Sequence, residues 1–240
     1  MRLSEARVVL TGASGGIGAA IADALCANGA QVLAVARHRE SLAPLLERYP
    51  QQVFWIGADL TFLADRRKVL TAAQAMGGIN LLINAAGVNH FAMLEQLEDS
   101  DINAMLAVNI SAPICLTKIL LPLLKQASSA MVVNVGSTYG SIGYPGYASY
   151  CASKFALRGF SEALRRELSD TRVGVLYVAP RATSTPMNSP AAQALNDALN
   201  ANVDDPQTVA SAVIRAIAGD HRDLYLGWPA RFFVRLNSLL

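Results

Sequence analysis

Six short, almost continuously apolar runs are spaced along the chain and alternate with longer stretches of helical length. Strands that are buried on both faces of a parallel sheet have this character, because neither face alternates with solvent. The pattern therefore predicts an α/β fold, a doubly wound parallel sheet in a three-layer α/β/α arrangement. The runs lie at 7–11, 31–36, 53–58, 79–84, 131–137 and 173–179, and the main predicted helices at 17–27, 63–76, 101–125 and 150–168.

Local sequence signals mark several boundaries of these elements. Gly29 follows the first predicted helix as a C-terminal cap, and Asp205 with Pro206 begins a late helix that ends near Ala218. Residues 182–203 contain Pro, Ser and Thr with weak helical periodicity, which predicts a mobile insert after the sixth strand. Ligands bind at the carboxyl ends of the strands in open α/β sheets, and this insert would overhang that edge.

Composition narrows the functional class. The 240 residues are expected to form one domain, and the 52% apolar and 16% charged content suits a large buried core and excludes disordered and fibrous classes. The net charge of +2 is too small for a nucleic-acid-binding surface, so no nucleic-acid partner is expected.

Cysteine spacing and the length of the apolar runs bear on the cellular compartment. Cys26, Cys115 and Cys151 lie too far apart in sequence to suggest a zinc site or a disulfide framework, so no metal is expected. The first nine residues lack the apolar stretch of a secretory signal, and the longest compact apolar run, 119–124, is far below the ~20 residues that span a bilayer. We therefore expect a cytoplasmic protein.

The first predicted strand runs into a glycine-rich turn, TGASGGIG at 11–18, that leads directly into a helix. Gly12, Gly16 and Gly18 let the backbone turn tightly and let a diphosphate approach the free N–H groups at the helix N-terminus. The spacing differs from the familiar G-x-G-x-x-G, and a glycine-rich turn without a ligand is the alternative. The flanking strand and helix favour a nucleotide site.

Arg37 follows the second predicted strand, at the position that faces the adenine ribose in nucleotide-binding folds of this type. An acidic residue there would bind the 2′-hydroxyl of NAD, whereas an Arg suits the 2′-phosphate of NADP. Together with the hydroxyl of Ser14 in the glycine loop, Arg37 favours NADP(H) over NAD(H). The alternative is that Arg37 is only an exposed surface charge.

Tyr150 and Lys154 are four residues apart, a spacing that places both on one face of the predicted helix. The neighbouring ammonium is expected to favour the phenolate and lower the tyrosine pKa, which makes the phenol usable in acid–base catalysis. Ser137 ends the fifth predicted strand, where its hydroxyl would hydrogen-bond a substrate carbonyl oxygen. The alternatives are a structural pair on the helix and a serine that only caps the strand.

These motifs, in this order, resemble those of the short-chain dehydrogenase/reductase family, in its compact single-domain form with a Rossmann-like fold. The similarity runs from Thr11 to about Thr185. It implies that the catalytic residues are Asn109, Ser137, Tyr150 and Lys154. Together with Arg37, it gives a cofactor site made of Gly12, Ser14, Gly15, Gly16, Ile17, Gly18, Asp59, Leu60, Asn84, Ala85, Ala86, Gly87, Tyr150, Lys154, Pro180, Thr183 and Thr185.

The activity that the resemblance implies is hydride transfer between NADP(H) and a carbonyl or alcohol carbon, in the manner of a ketone or aldehyde reductase. Tyr150 would move the proton, Lys154 would hold the nicotinamide ribose, Ser137 would orient the oxygen, and the Asn109 backbone would anchor a water. A non-catalytic NADP(H) sensor is one alternative, and the complete set of four residues favours the enzyme over it. An epimerase or dehydratase is another, but it usually needs a larger substrate region than the residues after Val178 provide.

The resemblance also implies a homodimer or homotetramer, formed through the helices that begin near Asp101 and Tyr150. The substrate is expected to be a small carbonyl or alcohol compound in an apolar cavity. The sequence does not identify that compound. Residues expected to line the cavity are Phe91, Met93, Tyr144, Tyr147 and Met187.

One residue departs from the family pattern. Arg181 follows Pro180 where the family has Gly, which removes backbone freedom and adds a long cation beside the expected nicotinamide site. Two interpretations are open: Arg181 points to solvent, or it binds a carboxylate or phosphate on the substrate.

The C-terminal segment, residues 225–240, is aromatic, apolar and basic. Phe232, Phe233, Leu236 and Leu240 form a helical stripe that is expected to pack on the same chain or on a partner subunit. Weak contact with a membrane surface or an acyl chain is the alternative, because basic residues flank the apolar face.

Overall fold

The computed structural model describes residues 1–227, and at its centre lies a seven-stranded sheet in which every neighbouring pair of strands is parallel. The strands are β1 (Arg7–Thr11), β2 (Gln31–Ala36), β3 (Val53–Gly57), β4 (Leu81–Asn84), β5 (Ala130–Val135), β6 (Val173–Ala179) and β7 (Asp223–Tyr225). Their order across the sheet is β3-β2-β1-β4-β5-β6-β7. The predicted doubly wound α/β fold is confirmed.

Eight α-helices connect the strands within the described part of the chain. They are α1 (Gly16–Ala27), α2 (Ala43–Arg48), α3 (Leu63–Ala75), α4 (Asp99–Leu106), α5 (Ala112–Gln126), α6 (Ala148–Glu167), α7 (Pro190–Ala198) and α8 (Pro206–Ala218). Helices α1 and α8 cover one face of the sheet, while α3, α5 and α6 cover the other. Both faces are therefore buried, as the continuous apolar runs predict.

Adjacent residues on one strand show this burial on both faces directly. Val8 and Leu10 of β1 point to the α1 and α8 side, whereas Val9 between them points to the side of α3 and α5. All three side chains are fully buried. Burial of each such side chain contributes about 1.5–3 kcal/mol to the stability of the fold, at roughly 25 cal/mol per Å² of apolar surface removed from water.

The six predicted strands all form, with boundary shifts of at most two residues. The two-residue shifts are at the start of β4, which is predicted from 79 but begins at Leu81, and at the end of β5, which is predicted to 137 but ends at Val135. The sequence did not predict β7, whose three residues include one buried side chain, Leu224. It also did not predict α2, a six-residue helix with Pro44 in its first turn.

The predicted mobile insert at 182–203 contains a helix, so the sequence reading of that segment is wrong in part. Ser189 accepts a hydrogen bond from the backbone N–H of Ala192 and thereby caps α7, and Pro190 occupies its first position. These two residues are a helix-start signal, and the prediction missed it because the hydrophobic periodicity of the segment is weak. Helix α7 buries Ala192 against an aromatic cluster around Tyr147.

Helices α4 and α5 are joined by a π-helical turn, Ala107–Ser111, into one helical rod, Asp99–Gln126. By length and composition this rod is apolar enough to cross a membrane, because an 18-residue window within it has a mean hydropathy of 1.8. Its Leu116, Leu120 and Leu124 side chains are fully buried against the sheet, and 39% of that window is buried within the described structure. The longest compact run in the sequence, 119–124, is therefore part of a longer apolar helix.

The strand order places a topological switch between β1 and β4. From β1 the chain builds outward through β2 and β3, and then crosses to the opposite side of β1 to form β4. Helices leave the two strands toward opposite faces, so a crevice opens at their carboxyl ends, Thr11 and Asn84. The sequence motifs converge on this crevice.

Candidate active site

The glycine loop between β1 and α1 forms a cradle that side chains would fill. Gly12 has a φ of +70°, and a Cβ on it would lie 2.7 Å from the Ala86 nitrogen. A Cβ on Gly18 would collide with the Gly12 carbonyl oxygen. Within residues 1–227, no side chain caps the N-terminus of α1 at Gly15. The first-turn N–H groups are thus available to an anion, and the loop fits a diphosphate.

Thr11 ties this loop to the segment that follows β4. Its hydroxyl oxygen accepts hydrogen bonds from the backbone N–H groups of Ala85 at 3.1 Å and Ala86 at 3.0 Å. These bonds hold the Asn84 to Gly87 segment beside the glycine loop. The predicted cofactor residues on β1 and β4 therefore lie together across the crevice.

The Asn84 side chain lies inside the domain and joins a buried polar network. Its Nδ2 donates to Asn134 Oδ1 at 2.8 Å and to Thr117 Oγ1 at 3.2 Å. Asn134 Nδ2 in turn donates to Ser161 Oγ at 2.8 Å. The network links β4, β5, α5 and α6, so the Asn84 side chain holds the walls of the crevice in place.

Arg37 and Ser14 are both exposed, at the carboxyl end of β2 and in the glycine loop. In the part of the chain that the structure describes, Arg37 has no ion-pair partner. Asp59 lies after β3, and its carboxylate accepts hydrogen bonds from the hydroxyl and backbone N–H of Thr61 at 2.7 and 3.0 Å. The neighbouring Leu60 is partly buried, and its carbonyl accepts from Arg66.

Asn109 lies in the π-helical turn between α4 and α5, and it is 1% exposed. Its Oδ1 accepts from the Val88 N–H at 2.9 Å, and its Nδ2 donates to the Val88 carbonyl at 2.9 Å and to Ser153 Oγ at 3.0 Å. Both ends of the amide are thereby fixed. A π-helical turn is rare and is often found at functional sites, and periodicity in the sequence does not distinguish it from an α-helix.

Ser137 lies two residues beyond the end of β5, not at its last residue as predicted. Its hydroxyl oxygen accepts from the Tyr139 N–H at 3.1 Å, so it caps the short 3-10 helix Thr138–Gly140. The Ser137 hydroxyl also lies close enough to the phenol of Tyr150 to lower its pKa. The Ser137 side chain therefore caps the 3-10 helix and also faces Tyr150, so the two interpretations of this serine are compatible.

Tyr150 and Lys154 share one face of α6, as predicted, with Lys154 Nζ 5.5 Å from the centre of the Tyr150 ring. Lys154 is 5% exposed and donates to the Val135 carbonyl at 3.1 Å. A Cβ on Gly87 would lie 3.7 Å from Lys154 Nζ and 3.3 Å from Asn109 Oδ1. The four predicted catalytic residues are thus gathered at the carboxyl ends of β4 and β5.

The expected lowering of the Tyr150 pKa by Lys154 is wrong for this structure. Desolvation raises the pKa of the Tyr150 phenol above its ordinary value, and the hydrogen bond from Ser137 lowers it in part. Burial also lowers the pKa of Lys154 to about 8, because the charged ammonium is disfavoured away from water. Desolvation, which the sequence argument left out, is the dominant effect on both groups.

The insert that follows β6 reaches back over the crevice. Thr183 pairs with Asp204 in a short parallel bridge, and Thr185 packs on the glycine loop, where a Cβ on Gly16 would lie 2.6 Å from its Cγ2. Met187 Cε lies near Gly87, beside Lys154. The Pro180 carbonyl accepts from the Thr138 N–H at 2.9 Å and fixes the base of the insert to the Ser137 turn.

Arg181 neither points freely to solvent nor leaves its charge available to a substrate, so both predicted interpretations need correction. Its Nη2 and Nε donate to the two carboxylate oxygens of Asp204 at 2.6 and 2.9 Å. The Arg181 side chain is 28% exposed and that of Asp204 is 14% exposed. This two-point ion pair joins the beginning and end of the insert, and it raises the pKa of Arg181.

An aromatic cluster packs around Tyr150 beside the crevice. Tyr139 and Tyr144 stack with ring centres 5.6 Å apart, and Phe91 lies 4.8 Å from Tyr147. Tyr139 also contacts Tyr150 edge to face at 6.4 Å. The sequence identified Phe91, Tyr144 and Tyr147 as lining residues but missed Tyr139, which is two residues after Ser137 in the same turn.

The predicted apolar stripe of the C-terminal segment lies outside the described residues, which end at Gly227. That prediction covers Phe232, Phe233, Leu236 and Leu240.

Comparison with known proteins identifies relatives of this chain. The family model for short chain dehydrogenases matches residues 6–196. Oxidoreductase BOA17 of Botryotinia fuckeliana (strain B05.10) is 34% identical over 176 residues, which cover 71% of this chain and 63% of that protein. The 3-oxoacyl-[acyl-carrier-protein] reductase FabG of Vibrio harveyi is 30% identical over 224 residues, which cover 89% of this chain and 90% of the relative.

Solved structures share the fold over almost the entire chain. A short-chain dehydrogenase from Streptomyces avermitilis has a TM-score of 0.87 at 29% identity, covering 98% of this chain and 94% of its own. One from Burkholderia cenocepacia, solved with NADP, has a TM-score of 0.84 at 26% identity over 98% and 93% of the two chains. One from Burkholderia phymatum, solved with NAD, has a TM-score of 0.90 at 22% identity over 98% and 94%.

Proposed function

This chain belongs to the short-chain dehydrogenase family, and on that premise we propose that it is an NADP(H)-dependent reductase of ketones or aldehydes. The observation that carries the proposal is the meeting of four groups beside the glycine cradle. The Tyr150 phenol, the Ser137 hydroxyl, the Lys154 ammonium and the Asn109 amide all lie at the carboxyl ends of β4 and β5 or next to them. A sensor that only binds a nucleotide has no need of this set.

In the proposed reaction, the nicotinamide cofactor supplies the hydride when bound, and the protein supplies orientation and the proton. Ser137 and Tyr150 both present hydroxyl groups, so a carbonyl oxygen placed between them accepts two hydrogen bonds. Tyr150 donates its proton to that oxygen as the carbon is reduced. A tyrosine phenol is protonated at neutral pH unless its pKa is strongly lowered, and burial here acts in the opposite direction, so Tyr150 is in the form that can donate a proton.

The proposed preference for NADP(H) is supported by the charge at the end of β2. Arg37 is exposed at the carboxyl end of β2, the strand paired with β1, Ser14 is exposed in the loop after β1, and within the described residues no carboxylate pairs with Arg37. A guanidinium in that position is a good partner for a 2′-phosphate. Solved relatives hold NAD as well as NADP, so titration of the purified protein with NADPH and NADH is the direct measurement.

The proposed substrate is uncharged and has an apolar or aromatic body. Two features support this choice: the Arg181 guanidinium is already paired with Asp204, and the aromatic cluster beside the crevice contains the Tyr139, Tyr144 and Tyr147 rings. A carboxylate beside these rings would lose hydration, and the Arg181 guanidinium is not free to pair with it. Aromatic and alkyl ketones should therefore be reduced faster than 2-oxo acids of similar size.

The test of the activity is Tyr150→Phe, which removes the proton donor and retains the ring. We expect turnover of NADPH with a panel of ketones and aldehydes to fall about 10²–10⁴-fold, the usual contribution of general acid catalysis. NADPH affinity, measured by fluorescence titration, should remain close to that of the unsubstituted protein. Normal turnover in the variant, or NADPH binding by the parent protein without turnover of any carbonyl compound, would contradict the proposal.

A further inference from the structure

Tyr177 of β6 is among the largest fully buried side chains of the described chain, with 1% of its surface exposed. A tyrosine in such a position usually brings its hydroxyl to a specific partner. Here that partner is the backbone of Ser137. The Tyr177 hydroxyl donates to the Ser137 carbonyl at 3.2 Å and accepts from the Ser137 N–H at 3.4 Å.

The hydroxyl contacts Ser137 between two hydrogen bonds that join the end of β5 to β6. On either side of Ser137, the N–H of Gly136 donates to the Val178 carbonyl at 2.7 Å, and the N–H of Thr138 donates to the Pro180 carbonyl at 2.9 Å. The intervening Ser137 N–H is satisfied by a side chain of β6. The Ser137 carbonyl accepts from the Gly140 N–H at 2.9 Å as well as from Tyr177, so the Tyr177 hydroxyl is the side-chain contact among several that hold the Ser137 backbone.

Two glycines leave the space that this phenol occupies. A Cβ on Gly136 or on Gly140 would collide with the Tyr177 hydroxyl. The Cβ on Gly140 would also lie 2.8 Å from the Lys154 carbonyl oxygen. The Tyr177 hydroxyl is thus enclosed between the Ser137 turn and the backbone of α6 at Lys154.

We propose that Tyr177 is a positioning residue that holds the Ser137 backbone, and through it the Ser137 hydroxyl, in line with the phenol of Tyr150. This inference rests on the proposed reductase function. A tyrosine phenol is uncharged at neutral pH, and burial raises the pKa of Tyr177 further. The titratable groups that act on it are Tyr150 and Arg158 of α6 and Tyr225 of β7.

The experiment begins with Tyr177→Phe, which keeps the buried ring and removes only the hydroxyl. We expect kcat to fall about ten- to thirty-fold, because a small misplacement of a group that orients the substrate is costly. The KM for the carbonyl substrate and the affinity for NADPH should change by less than about two-fold, since the loss lies in the transition state. Tyr49→Phe, which removes a hydroxyl bonded to Asp23 at 3.1 Å far from the site, is the matched control.

A double-mutant cycle separates positioning from a general loss of stability. In a Ser137→Ala background, Tyr177→Phe should cost less than about two-fold in kcat, because there is no longer a serine hydroxyl to position. All four proteins are assayed well below the lowest of their melting temperatures, so that unfolding contributes to none of the rates.

The pH profile provides a second readout. The Ser137 hydrogen bond lowers the pKa of Tyr150, so displacing the serine should move the phenol-dependent limb of the kcat profile to higher pH. A purely structural role for Tyr177 would leave that limb in place.

The outcomes are distinguishable. Unchanged kcat in Tyr177→Phe, or an equal loss with and without the Ser137 hydroxyl, overturns the positioning role while the reductase function stands. Absence of carbonyl-dependent NADPH oxidation in the unsubstituted protein overturns the function itself.

Discussion

Replacing Lys154 with methionine should stabilise the protein while it abolishes turnover. The Lys154 side chain is 5% exposed, and burial lowers its pKa from 10.5 to about 8. A fall of that size, at about 1.4 kcal/mol for each pH unit, means that the buried ammonium costs about 3 kcal/mol at neutral pH. Methionine fills similar space without a charge, and loss of the hydrogen bond to Val135 offsets about 1–2 kcal/mol. The net gain expected is about 1–2 kcal/mol.

The sign of the pH dependence follows from the protons bound by each state. Between pH 8 and 10.5 the lysine is protonated in the unfolded chain and neutral in the folded one. The unfolded state then binds more protons, so the parent protein becomes more stable as the pH rises through this range. The methionine variant lacks that gain, and its advantage over the parent should shrink from neutral pH toward about pH 10.

The measurement is urea unfolding of parent and variant at neutral pH and near pH 10, with melting temperatures as a check. A gain of this size corresponds to a rise of roughly 2–8 °C for a chain of this length. Lys118→Met on α5, where the lysine is exposed, is the matched control and should change stability by less than about 0.5 kcal/mol. A Lys154→Met protein that unfolds more easily than the parent at neutral pH, or whose advantage is independent of pH, would refute the reasoning.

Two further substitutions test the charges around the crevice. Arg37→Ala should raise the KM for NADPH about ten- to a hundred-fold, which is the equivalent of one charge-assisted hydrogen bond. The KM for NADH should remain nearly unchanged. Equal effects on both cofactors in initial-rate assays would exclude a role for Arg37 in cofactor choice. Arg181→Ala leaves Asp204 unpaired and should weaken the base of the insert by about 1 kcal/mol, which limited proteolysis would detect as faster cleavage within 182–203. The KM of the Arg181→Ala variant should rise equally for acidic and neutral carbonyl compounds. A rise in KM confined to acidic compounds would restore the interpretation in which Arg181 binds the substrate.

The sequence predicted the central strands well because their signal is local. Each of β1, β2 and β6 is a continuous apolar run, and their boundaries agree with prediction to the residue. Strand β7 carries a single buried side chain, so its place in the sheet comes from pairing with β6. Such pairing is a tertiary effect that leaves no pattern in three residues.

The structure brings the predicted catalytic residues together, but the physical properties of two of them differ from the prediction. Tyr150 and Lys154 were paired correctly from their spacing, but desolvation reverses the expected direction of the tyrosine pKa. Burial of a particular atom depends on the elements packed around it, which spacing alone does not reveal. Similarly, Asp204 lies 23 residues from Arg181, and only the closed insert brings the two together.

The π-helical turn at Ala107–Ser111 places one additional residue between α4 and α5. One residue corresponds to about 100° of rotation around a helix axis, so the two halves of the rod face directions that an uninterrupted α-helix would not allow. Helix α5 keeps Leu116 and Leu120 on the sheet while Asn109 still reaches Val88. This segment should therefore tolerate changes of side chain far better than the gain or loss of a single residue, which would rotate the amide out of the crevice.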